Sequence, residues 1–181
     1  LKQRLGALFG VLGPLLVYFS IAASLIVSTW FNWQTNALSD LGHAVNSEAA
    51  PIFNGGLFLA GFCLMIYSIT VFEKHAKHSS TCLLVSSFFV QMLAVFNEVY
   101  GSLHYVAAVP HFLTLSLTAI IYGYEKKSKF AITTFLAVMF TWFLYSIGTF
   151  NMGIAVPETM SKLVLLWIMW SGIKILLKKE S

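Results

Sequence analysis

The stretch IFNGGLFLAGFCLMIYSITVF, residues 52–72, carries no charged side chain and runs directly into Glu73 and Lys74. At about 1.5 Å of rise per helical residue, a run of this length crosses roughly 30 Å of hydrocarbon. It reads as a membrane span, and the pattern repeats outward in both directions. Further apolar runs occupy residues 8–30, 80–98, 103–124, 129–150 and 158–177, which makes six. Of the 181 residues, 58% are hydrophobic and 10% charged, too much apolar surface for a soluble domain of this size. The first run is expected to be a span and not a cleavable signal peptide. Its core is too long, and no small-residue cleavage site precedes Trp30 and Trp33, which read as an interfacial belt. With no internal repeat, residues 1–181 form one six-span domain of the all-α class.

The net charge of +4 does not point to nucleic acid, because the basic residues sit in small groups between apolar runs. Lys2 and Arg4 precede the first span. Lys74 and Lys77 separate the second from the third, and Lys126, Lys127 and Lys129 the fourth from the fifth. Lys174, Lys178 and Lys179 end the chain. With six spans all of these fall on one side, and the opposite loops hold no lysine or arginine until Lys162. The positive-inside rule therefore predicts both termini in the cytoplasm of a multi-pass cell-membrane protein. Two cysteines exclude a secreted disulfide framework. Cys63 and Cys82 differ in depth by about 9 Å at helical rise, too far to bridge.

Four of the seven acids sort to the other side. Asp40, Glu48, Glu98 and Glu158 are expected at the outer face with His43 and His104, and His111 lies about two turns deeper. Glu73, Glu125 and Glu180 each sit beside lysines on the basic side. Polar residues also line up at helical spacing: Ser20, Ser24 and Ser28; Asn54, Gly61 and Ser68; Ser87, Gln91 and Glu98; His104, His111, Thr114 and Thr118. Small and hydroxyl residues in spans commonly serve as packing glue. Ionisable groups near a membrane admit three readings: structural capping and ion pairing, including Glu158 with Lys162 at i,i+4; a catalytic or ligand pocket; and a metal site. No HxxxH or HExxH spacing supports the metal reading. Ser39 beside Asp40 reads as a local cap or turn rather than a nucleophile.

The elements LSDLGHA (residues 38–44), APIFNGGLFLAG (50–61) and VFNEVYGSLHYVAAVPHF (95–112) resemble a prokaryotic six-span family, domain of unknown function 998. Ser39, Asp40, Gly42, Phe53, Asn54, Gly56, Glu98 and His104 carry the resemblance, which covers roughly residues 8–150. Span 6 matches in hydrophobicity alone. The same elements are distantly similar to the eukaryotic Frag/DRAM/Sfk membrane family, which includes a Golgi factor for lipid remodelling of GPI anchors. Asn97 stands where related sequences often have proline, and Glu48 with Ala50-Pro51 where the eukaryotic group tends to have Pro-Glu.

The expected centre is an outward-facing pocket of Asp40, Glu98 and His104, with Ser39, His43, Asn54 and His111 around it and no metal. His104 would be the general base, because imidazole changes protonation near neutral pH, and Asp40 or Glu98 would orient it. The expected partners are membrane lipids, with hydrolysis or acyl transfer at the outer leaflet as the leading function. The alternatives are a non-enzymatic scaffold or lipid-binding protein and, third, a transporter. No cofactor is named by any motif.

Overall fold

The computed structural model describes residues 2–148 and 152–177. Six helices are long and apolar enough to cross a membrane. They are α1 (Lys2–Val27), α2 (Ala50–Tyr67), α3 (Lys77–Val95), α4 (Ser102–Lys126), α5 (Lys129–Ser146) and α6, which is built in two pieces, Ala155–Ser161 and Val164–Leu177. After Tyr67, α2 continues through a π-helical turn, Ser68–Phe72, and ends at Glu73–His75.

The helices differ from the apolar runs mainly at their ends. Helix α1 starts at Lys2, well before residue 8, and stops at Val27, three residues before the expected end. Helices α3 and α4 likewise take in Lys77 and Lys126. Long basic side chains reach the interface while their stems stay in apolar surroundings, so charge does not terminate a span. Helix α4 ends with Lys127 in the left-handed conformation. Ser128 then caps α5 by accepting from the Ala131 amide at 3.3 Å. The expected end of span 5, residues 149–150, lies outside the described residues. The interruption of α6 at Lys162 and Leu163 was not legible as a change in hydrophobicity.

Neighbours in sequence pack as neighbours in space: α1 on α2, α2 on α3, α3 on α4 and α4 on α5, while α6 closes against α1. Helix α5 is the least buried of the six. Pro14 and Pro110 both lie inside helices, as expected. Several polar-stripe residues satisfy their own helix: Ser20, Ser68 and Ser87 donate to the carbonyls of Val17, Leu64 and Leu83. At the end of the bundle where α1 stops and α2 starts, residues 28–49 fold back over the helices. Leu38 and Leu41 of a 3-10 turn, Leu38–Gly42, are buried there.

Candidate functional site at the capped end of the bundle

The capping segment is held by side chains from α2, from α6 and from the turn between α3 and α4. Asn54, at the start of α2, donates to the Gly42 carbonyl at 2.7 Å. A side chain at Gly42 would press on Asn54 and Phe53, so glycine is what permits this approach. Ser47 donates to the Leu41 carbonyl at 2.7 Å. From α6, Glu158 accepts the Leu38 amide at 2.6 Å. The turn between α3 and α4, a 3-10 element over Glu98–Tyr100, is capped by Asn97, which accepts from the Val99 amide at 3.2 Å.

Against this frame stand Ser39, Glu98 and His104. Ser39 donates its hydroxyl to Glu98 Oε1 in a short hydrogen bond. His104 Nε2 lies 3.2 Å from the same oxygen. The other ring nitrogen, Nδ1, is 2.9 Å from the Phe96 carbonyl oxygen. A carbonyl only accepts, so Nδ1 carries a proton and Nε2 is the atom turned to the carboxylate. Glu98 therefore stands between serine and histidine. In a serine-hydrolase triad the histidine holds that middle position.

Of the other expected members, Asn54 lines a recess with Ser39 and His104, while Asp40, His43 and His111 make their contacts elsewhere. Asp40 accepts from Asn36 Nδ2 at 2.9 Å and from the Ala37 amide at 3.0 Å, capping its own turn. An aspartate two residues into a tight turn finds backbone amides within its own loop before it finds a distant helix. The chain thus brings Ser39, not Asp40, to Glu98 and His104. His43 accepts from the Asn46 amide at 3.2 Å in an exposed turn. His111 is buried deeper, where Nδ1 meets the Ser86 carbonyl at 3.1 Å and Nε2 has no hydrogen-bond partner. Among the described residues no group of three His, Cys, Asp or Glu side chains is placed to hold a metal ion.

Beside the Ser39–Glu98–His104 cluster a cavity of about 570 Å3 runs between α4, α5 and the start of α6. Its polar end is formed by Ser39, Glu98, His104 and Glu158. Its walls are Ala108, Val109, Phe112 and Leu113 of α4 and Met139, Trp142 and Tyr145 of α5. A smaller recess of about 40 Å3 adjoins it, lined by His104, Asn54, Asn97, Glu158 and Lys162. Lys162 turns its ammonium onto the Phe112 ring, 4.6 Å from the centroid. Glu158 and Lys162 feel each other's charge as i,i+4 neighbours, while Glu158 also reaches the Leu38 amide and Lys162 the Phe112 ring. At the break in α6 the Lys162 carbonyl accepts the Leu165 amide at 2.9 Å, and the Tyr18 hydroxyl donates to the same oxygen at 2.7 Å.

The family described as "Protein of unknown function (DUF998)" matches residues 11–174. The chain belongs to this family. No curated protein and no solved structure matches it. The family match runs through α6, whereas the motif resemblance stopped near residue 150 and left span 6 with hydrophobicity alone. That extension agrees with the geometry, because α6 supplies Glu158 and Lys162. Both were visible in the sequence as the acid and base of the last span. Their paired spacing suggested a helix-surface ion pair and hid the inward placement. The Trp142 and Tyr145 walls had no signal beyond aromatic content.

Proposed function

We propose that this DUF998 protein handles lipid in the outer leaflet of the cell membrane, taking an acyl chain into the cavity between α4 and α5. The observation that carries this reading is the shape and chemistry of the cavity. An apolar groove of about 570 Å3 leads to one polar end, where a carboxylate, an imidazole and a hydroxyl meet. Ligand sites combine apolar walls with a few convergent polar groups in this way. The loose packing of α5 gives a lipid tail lateral entry. The outward side follows from the lysine distribution.

In this reading His104 Nε2 and Glu98 together take and return a proton at the headgroup linkage. The Phe96 carbonyl holds the ring so that Nε2 faces the cavity. Ser39 is positioned by Glu98 and offers a hydroxyl at the same point. The chemistry is attack on the ester carbonyl of the bound lipid by water (hydrolysis) or by a second lipid's hydroxyl (acyl transfer). The attacking oxygen gives up its proton to the Glu98–His104 pair, the acyl–oxygen bond breaks, and the pair returns the proton to the leaving alcohol. The likeness to Frag/DRAM/Sfk elements leans the same way.

A non-enzymatic scaffold is the second reading. It is favoured by the way Ser39, Glu98, His104 and Glu158 tie the capping segment to α3, α4 and α6. His104→Ala and Glu98→Gln separate the two. Each variant is compared with wild type for melting temperature in detergent and for membrane lipid composition in a deletion host. Lipid handling predicts altered lipid composition with little change in melting temperature. Unchanged lipids with a large drop in melting temperature would leave the scaffold. Removing one partner of a desolvated pair costs about 3–5 kcal/mol, less at a wet interface.

A further inference from the structure

At the opposite end of the bundle, α1 packs tightly against α2 and α6. A side chain at Gly10 would meet the Tyr67 ring at 2.6 Å, and one at Gly172 the Ala7 carbonyl oxygen at 3.1 Å. This close approach brings the basic ends of α2 and α6, a hundred positions apart in the chain, to the two sides of one cavity of about 270 Å3. Lys74 and His75 come from α2, Lys174 and Ile175 from α6, Gln3 from α1, and Val71 from the π-turn of α2. Among the described residues no acidic side chain lines it, and neither lysine is ion-paired to a described carboxylate. Lys174 rests its ammonium over Trp170, 5.3 Å from the ring centroid.

We propose that this cavity is a binding site for a phosphate group. Lys74 and Lys174 supply opposed ammonium charges from two helices, and the Gln3 amide adds a neutral donor. Val71 and Ile175 form apolar walls beside the donors, which suits the glycerol and first methylenes of an anionic lipid. Basic clefts between helices at the membrane surface recognise such headgroups. The site is separate from the Glu98–His104 end and does not depend on what happens there.

The test uses the full-length protein in a neutral detergent. Binding is measured by native mass spectrometry and by thermal shift with phosphatidylglycerol, with phosphatidylcholine of the same acyl chains, and with inorganic phosphate. Wild type is compared with Lys74→Gln/Lys174→Gln and with Lys126→Gln/Lys127→Gln, which removes the same charge away from the cavity. The expected result is preference for phosphatidylglycerol over phosphatidylcholine, reduced about tenfold in Lys74→Gln/Lys174→Gln and retained in Lys126→Gln/Lys127→Gln. If inorganic phosphate alone reproduces the shift with the same variant pattern, the site holds phosphate from solution; if it does not, the source is the lipid. Equal loss in both double variants, or no loss in either, overturns the site. Melting temperatures without ligand confirm that both variants are folded.

Discussion

At the scale of single residues, the outer site turns on which side chain of the Ser39-Asp40 pair faces inward. Asp40 bonds to Asn36 and Ala37 in its own turn, while Ser39 reaches Glu98. Asp40→Ala therefore removes a local cap, at about 1 kcal/mol of stability, and leaves the membrane lipid composition as in wild type. Lipid changes as large as those from His104→Ala would return Asp40 to the centre. Gly42→Ala forces a methyl group against Asn54 and Phe53, and the overpacking is expected to cost about 1–3 kcal/mol. Thermal unfolding in detergent reads this, and an unchanged midpoint would mean that the capping segment is not seated as described. Residue types in the sequence singled out Ser39, Asp40, Glu98 and His104 together. They did not say which of two adjacent side chains turns inward, because that depends on a 3-10 turn whose register is decided by burial of Leu38 and Leu41.

Among the elements, α6 departs most from its sequence reading. Hydrophobicity marks a continuous span, but the helix breaks at Lys162, and Glu158 and Lys162 contact different neighbours. The span count was legible because each apolar run is long enough to cross the membrane and is bounded by polar residues. The break was not, because it is stabilised from outside the element, by Tyr18 on the Lys162 carbonyl. Glu158→Ala leaves the buried Leu38 amide without its acceptor, and the unsatisfied donor costs roughly 1–3 kcal/mol. Loosening of the capping segment should accompany it, seen as faster amide exchange over residues 36–44. Exchange as slow as in wild type would show that α6 does not hold this segment. Tyr18→Phe, which removes the cap on the break alone, is expected to be milder.

For the whole molecule, six helices place the chain in a bilayer, and the lysines supply the orientation proposed for it. Val45, in the capping segment, and Lys127, in the turn between α4 and α5, are both exposed. In a cysteine-free background, Val45→Cys should react with an impermeant thiol reagent in intact cells and Lys127→Cys only after lysis. The reverse pattern would move the Glu98–His104 end to the cytoplasm.

Photocrosslinking tests whether a lipid chain enters the cavity between α4 and α5. A phospholipid carrying a diazirine in its acyl chain is reconstituted with wild type and with Ala108→Trp, which fills the groove from its α4 wall. Crosslinks are mapped by peptide mass spectrometry. The account predicts labelling concentrated on Val109, Leu113, Met139 and Trp142, and its loss in Ala108→Trp with the melting temperature preserved. Labelling spread evenly around the lipid-facing perimeter, and unchanged when the groove is filled, would contradict it.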